Sequence, residues 1–154
     1  MKILHISNWY PDARLPFRAK WIADQIDALG IYCQNDIYHI EVNRGNFEFI
    51  RENGMRNNYT FRLILPIKRW FWIEILSSVL VFYIVIKNIV FKKYDVINFH
   101  IAYPLCSYIF LLKMLINIPI IITEHWSAYH FKFNIKDKRK LIRIKRIFNY
   151  GIPI

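Results

Sequence analysis

Short apolar runs rich in β-branched residues alternate along this chain with longer stretches whose apolar residues recur at helical spacing. Residues 2–8 are apolar and end in Ser7 and Asn8, which predicts a buried strand. Residues 9–16 hold Pro11, Asp12 and Pro16 and read as a loop. In residues 17–29, Trp21, Ile22, Ile26 and Leu29 share a helical face, and Gly30 stops the helix. A strand is predicted near residues 37–42. Residues 47–50 and 59–63 flank the polar turn 52–58 and predict a hairpin or two edge strands. A long helix over 69–91, a strand over 95–100, a helix over 103–116, a strand over 119–124 and a basic helix over 136–148 complete the pattern. Strand–helix alternation with apolar, β-branched strands implies one α/β domain over residues 1–154. It would be Rossmann-like and doubly wound, a mainly parallel sheet with helices on both faces.

The segment 70–91, WFWIEILSSVLVFYIVIKNIVF, is long and apolar enough to cross a bilayer. Its place between two sheet strands demands a crossover helix instead. Glu74, Ser78 and Asn88 could share one face, as a partly solvated helix needs. The expectation is therefore a helix packed on the sheet, with a small integral membrane protein as the competing reading.

Two predicted strands run into a histidine at their carboxyl ends, His100 after DVINF and His125 after PIIITE. Open parallel sheets bind ligands outside the carboxyl ends of their strands, so these positions are candidates for a site. Asn8 and Trp9 occupy the loop after the first strand and border the same crevice. That loop lacks a glycine-rich phosphate fingerprint, which argues against a dinucleotide. Arg14 and Arg18 could meet an acceptor phosphate or simply be solvated. His5, inside the first strand, reads as a buried, hydrogen-bonded histidine.

The chain carries 22 Lys and Arg against 11 Asp and Glu. Residues 132–146 hold eight of those cations and one acid, Asp137, which is +7 of the net +11. Such a segment attracts anions. In the helix 136–148, Leu141, Ile144 and Phe148 line one side and Arg139, Arg143 and Arg146 another, a pattern suited to an anionic membrane surface or to ordinary packing on a core. Nucleic acid is excluded as a partner, because no helix-turn-helix, RNA-binding aromatic motif or zinc spacing is present. Cys33 and Cys106 form neither a metal spacing nor a disulfide framework, which points to a reducing compartment. The apolar run at the N-terminus is too short for a signal peptide.

MKILHISNWYPD, PFRAKWIADQIDALG, YDVINFHIAYP and IPIIITEHWSAY, in this order, resemble the N-terminal domain of glycosyltransferase family 4, the retaining GT-B enzymes. The resemblance covers nearly the whole chain and is most specific at ITEHWSAY. It implies one half of a GT-B fold, the acceptor side. His125 would contact the donor sugar, with Glu124 beside it orienting His125 or binding a hydroxyl. Asn8, Trp9, Arg18, His100 and Trp126 would line the cleft. For His125, His100 and Glu124 a structural role at a strand end stays open beside the site role. Ala19 stands where family members usually have glycine, and alanine restricts the close backbone approach that glycine permits. FNYGIPI reads as the start of a further strand, so the chain is expected to be incomplete at its C-terminal end and to lack the donor-binding domain. A truncated frame, a gene fragment or a split enzyme would each give this.

The expected function is therefore transfer of a sugar from a nucleotide-sugar donor to a glycan or lipid-linked acceptor, inactive in this chain alone. No cofactor or metal is expected in the chain. A cytoplasmic location, peripheral contact with an anionic membrane and a C-terminal half-enzyme as partner are the further expectations. The alternative is a non-catalytic Rossmann-like module that binds an anionic membrane surface or a partner half-enzyme.

Overall fold

A computed structural model describes residues 1–12, 14–54, 58–101, 103–125, 138–150 and 152–153. The predicted alternation is present. The elements are β1 (Lys2–Ser7), α1 (Lys20–Leu29), β2 (Gln34–Arg44), β3 (Glu48–Asn53), β4 (Asn58–Leu65) and α2 (Trp70–Phe91). They continue with β5 (Val96–His100), α3 (Ile109–Leu115), β6 (Ile120–Thr123), α4 (Lys138–Tyr150) and β7 (Ile152–Pro153). One seven-stranded sheet runs in the order β3-β4-β2-β1-β5-β6-β7. Every pairing is parallel except β3 with β4. The chain winds outward from β1 through β2 and β4, then returns by way of α2 to β5 on the other side of β1. This is a doubly wound Rossmann-like sheet, and β1 and β5 flank its switch point. Only β3 is an edge strand of the predicted hairpin; β4 lies between β3 and β2.

The two faces of the sheet differ in chemistry. Because side chains alternate along a strand, Leu4 and Ile6 of β1, Ile40 and Val42 of β2, and Ile97 and Phe99 of β5 point to one side. They form the larger core, with α2, α3 and α4 closing it through residues such as Ile73, Val85, Leu112 and Ile147. Each fully buried side chain of this kind contributes about 1.5–3 kcal/mol. The opposite face carries His5, Ser7, His39, Glu41 and His100, all buried. There α1 packs a smaller apolar cluster, chiefly Ile22, Ile26 and Ile37.

Three predicted elements differ from the structure. The helix expected over 103–116 is regular only from Ile109 to Leu115. Pro104 disfavours helical geometry at Tyr103, and turns occupy the segment before Ile109. The helix expected from residue 17 starts at Lys20. The third difference concerns α2. Its polar residues are not solvated: Glu74, Ser77, Ser78 and Asn88 are buried against the sheet. Asn88 Oδ1 accepts the hydroxyls of Tyr38 (3.0 Å) and Tyr94 (3.3 Å), and its Nδ2 donates to the Ile84 carbonyl (2.7 Å). Glu74 accepts the Tyr103 hydroxyl at 2.5 Å. Buried polar groups with hydrogen-bond partners are tolerated; without them they cost about 1–3 kcal/mol each.

At the amino ends of the strands, buried Asp36 accepts bonds from Lys92 (3.0 Å) and from the Tyr94 hydroxyl, with Lys2 Nζ at 3.6 Å. Burial alone would raise this carboxyl, but Tyr94 and the two lysines outweigh it and hold it below its usual range. At the carboxyl ends two residues adopt left-handed backbone: Ala19 (φ 48°) and Ile101 (φ 62°). Ala19 thus keeps the conformation that glycine favours, without being glycine. Ile101, β-branched, is the more strained of the two.

Two outcomes follow from these features. Burial pushes His5 and His39 down to about 4 and His100 to about 3, from an ordinary 6.5. Between those values the unfolded chain binds protons that the native protein refuses. The stability from each histidine is therefore complete above pH 6.5 and is lost as pH falls toward 4 and 3, at about 1.4 kcal/mol per pH unit per group. Calorimetry should show Tm falling steeply from pH 6.5 to 4, with proton uptake on unfolding; a flat Tm over that window contradicts this burial. In chemical denaturation, Ala19→Val should destabilise by about 2 kcal/mol or more, since a β-branched side chain is poorly tolerated at positive φ. Ala19→Gly should stay within about 1 kcal/mol, because relief of left-handed strain is offset by loss of a buried methyl.

Candidate functional site

The first group of predicted residues meets at the carboxyl edge between β1, β2 and β5. After β1, Ser7 Oγ donates to the Trp9 carbonyl (2.6 Å) and accepts the Trp9 N–H (3.2 Å), which folds the loop tightly. Asn8 is pinned by its Nδ2, which donates to the Tyr103 carbonyl (3.2 Å). Its Oδ1 is buried and has no hydrogen-bond partner among the described residues. Asn8, Trp9 and Arg18 then line one cavity of about 190 Å³, together with Trp70, Ser77 and Tyr103. Ser77 Oγ is likewise buried without a partner among the described residues. Trp70 Nε1–H donates to the Tyr103 hydroxyl (2.5 Å), so the aromatic wall is fixed by hydrogen bonds as well as by packing. The strained Ile101 lies in the same wall.

Arg18 is not a lone cation. Its Nη1 donates to Glu41 Oε1 (3.0 Å), and Asn43 Nδ2 donates to the same oxygen (2.7 Å). Glu41 Oε2 accepts from Arg62 Nε (2.7 Å), and Arg62 also bonds the Asp12 carboxylate. Two arginines and two carboxylates thus form a neutral network under the loop that follows β1. Burial would raise Glu41 and Asp12, but their hydrogen bonds and the arginine charges outweigh it and hold both below their usual range. The network fixes Arg18, which also lines the cavity. Arg14 instead pairs with Glu48 at 2.7 Å, on the exposed edge strand.

The histidines form a second group, on the α1 side of the sheet. His5 Nδ1 lies 3.0 Å from His100 Nε2, and His100 Nδ1 lies 3.4 Å from His125 Nε2. His5 Nε2 lies 3.2 Å from Asn35 Oδ1, and Asn35 Nδ2 donates to the Ile26 carbonyl (3.0 Å). The Ile26 carbonyl can only accept, so the order of donors is set from that end. Asn35 presents oxygen to His5, and His5 therefore carries its proton on Nε2. His100 then donates from Nε2 to His5 Nδ1, and His125 donates from Nε2 to His100 Nδ1. Asn98 Nδ2 is placed 3.3 Å from His100 Nε2 and its Oδ1 accepts the Thr123 hydroxyl (2.9 Å); the donor order requires the reverse orientation of this amide, with its oxygen toward the ring. Burial lowers the pKa of His125 as well, so all three rings are neutral near pH 7. The chain leaves Nδ1 of His125 as a hydrogen-bond acceptor. Glu124 accepts the backbone N–H of His125 (3.0 Å) and so meets its main chain.

The structure thus divides the predicted residues. Asn8, Trp9 and Arg18 share the edge cavity. His100 and His125 join His5 in the imidazole chain, and His100 borders a separate apolar groove of about 580 Å³ beside Gln25, Ala28 and Leu29 of α1. The two groups share no hydrogen bond among the described residues. Trp126 lies outside the described residues. Ser77, Tyr103 and Glu41 were not foreseen as site residues. Ser77 and Tyr103 carry no sequence signal that separates them from packing residues. A carboxylate within the apolar β2 run was a signal for Glu41.

No protein-family model and no curated protein matches the chain. Among solved structures it is similar to sucrose-phosphate synthase (tll1590) from Thermosynechococcus elongatus, with a TM-score of 0.56 and 14% identity over 98% of this chain and 41% of that one. It is also similar to a structure described as OtsA apo structure, with a TM-score of 0.54 and 11% identity over 97% of this chain and 39% of that one. The chain spans about two fifths of the length of either. At such identities the likeness concerns architecture, and it shows a Rossmann-like unit of the GT-B type.

Proposed function

We propose that this chain is the acceptor-side domain of a retaining, nucleotide-sugar-dependent glycosyltransferase. The observation that carries the reading is the edge cavity: a small, aromatic-walled hollow lined by Asn8 and Ser77, whose buried oxygens have no partner among the described residues, at the switch point of a GT-B-type sheet. Trp9 offers an apolar ring face to a sugar. Asn8 Oδ1, Ser77 Oγ and the Arg18 guanidinium offer polar partners to hydroxyl or phosphate oxygens. A glycan or the sugar of a lipid-linked acceptor has this mixed surface. The nucleotide-sugar donor would be held by a second Rossmann-like domain, in the same protein or as a partner. No metal is needed for this division of labour. His125, fixed as the Nε2–H tautomer, would accept a hydrogen bond from a hydroxyl of the donor sugar through Nδ1, with His100 and His5 positioning it.

Saturation-transfer NMR of the full chain against hexoses and hexose phosphates tests the cavity. Trp9→Ala and Arg18→Ala should each weaken sugar binding by about tenfold, equivalent to about 1.4 kcal/mol. Binding of free nucleotide with no response to any sugar, or sugar binding untouched by both variants, overturns the assignment. The imidazole chain is checked separately. Long-range 15N–1H correlation spectra at pH 7 should show His5, His100 and His125 all as Nε2–H tautomers. A protonated or Nδ1–H His125 rules out the acceptor role given to it.

A further inference from the structure

α2 is turned inside out. Glu74, Ser77, Ser78 and Asn88 face the sheet, while Trp72 (49% exposed), Val79 (57%), Tyr83 (55%), Ile86 (39%) and Val90 (70%) face outward. Their spacings of seven, four, three and four residues place them in one stripe along the helix. α3 adds Leu111, Met114 and Leu115, all exposed. Monomeric soluble proteins rarely leave so continuous an apolar surface uncovered.

Charge identifies what covers it. α2, α3 and α4, which close the same core, contain one acidic residue among them, Glu74, and it is buried. The exposed cations Lys68 and Arg69 precede the α2 stripe, Lys87 and Lys93 lie at its other end, and α4 exposes Lys145 and Arg146. Of the exposed acids, Asp24 and Asp27 lie on α1, on the opposite face of the sheet, Glu52 lies on the edge strand β3, and Asp95, two residues after Lys93, accepts the Lys2 backbone N–H. Trp70 and Trp72 at one end and Tyr83 toward the other are residue types enriched where hydrocarbon meets headgroups. A second copy of this chain fits poorly, because it would set lysines against lysines with Asp95 the exposed carboxylate beside them. A membrane-spanning role fits poorly as well, because eight α2 residues, Glu74 and Asn88 among them, are buried in the protein.

We propose that the outer stripe of α2 docks this protein on an anionic lipid surface, with the helix lying in the headgroup plane and its flanking lysines on the phosphates. Trp70, in the first turn of α2, also lines the edge cavity. Docking would therefore hold the mouth of that cavity at headgroup level. The docking itself stands independently of the sugar-transfer reading.

Flotation of the full chain with phosphatidylcholine vesicles, with and without about one third phosphatidylglycerol, tests the surface. The wild-type protein should float with the anionic vesicles and lose most of that binding in high salt. The triple variant Trp72→Glu, Val79→Glu, Tyr83→Glu should bind about tenfold or more weakly. Lys87→Glu with Lys93→Glu should erase the preference for anionic lipid. Ile31→Glu with Tyr32→Glu, exposed beyond the C-terminal end of α1, should change nothing. Circular dichroism melts confirm that each variant is folded, and hexose binding should be unaltered in all of them. Vesicle binding unchanged in the triple variant overturns the proposal. So does equal loss in the α1-side control, or a dimer in sedimentation equilibrium that the triple variant dissociates.

Discussion

Removing an imidazole from water deprives it of its charge, and the α1 side of this sheet is built around that constraint. His5, His39 and His100 are all buried there, and burial is the largest influence on each. Neutral imidazoles can each donate one hydrogen bond and accept another, so they can be strung together. The string from Asn35 through His5 and His100 to His125 crosses β2, β1 and β5 and reaches the end of β6. It runs diagonally across the strands: His5 pairs in register with Ile37 and Asn98, and His100 with Ser7 and Thr123, so each step advances two residues toward the carboxyl edge. A set of side chains that would be repulsive if charged thereby ties neighbouring strands together, and it delivers a defined tautomer to the carboxyl edge.

The same economy of charge shapes the rest of that edge. Asp12, Glu41, Arg18 and Arg62 neutralise one another under the loop after β1, so the loop holds its form without a glycine at position 19. On the other face, carboxylates are almost absent from the helical layer, and the cations stay outside. One side of the sheet thus pairs its acids with arginines and lysines, while the other holds its helices with cations and a single buried acid, Glu74. The site lies where the two environments meet, with Arg18 from one and Ser77 from the other in its walls.

Much of this was readable in advance. Runs such as Val96–His100 and Ile120–Thr123 have strand length and β-branched content, and the crossover that α2 makes is forced once both neighbours are strands. The orientation of α2 was not readable. Glu74, Ser78 and Asn88 share a face that reads as solvated, and it is buried instead because the hydroxyls of Tyr38, Tyr94 and Tyr103, brought beneath it by the sheet and the turns after β5, meet Asn88 and Glu74. His5 was legible as buried but not as part of a chain, because its partner is fixed by the β1–β5 register. Arg18 looked solitary for the same reason: Glu41 lies 23 positions away in sequence and 3.0 Å away in space.

The inverted α2 has a consequence for how the protein is made. Its most apolar window has a mean hydropathy of 2.0, enough in length and composition to cross a membrane. During synthesis the segment emerges after β1, β2 and β4 but before Tyr94, Tyr103 and β5 exist. For that interval only Tyr38, of the three hydroxyls that hold its polar side chains, is available. The inward face of α2 is therefore completed last, once Tyr94 and Tyr103 have been made and can meet Asn88 and Glu74.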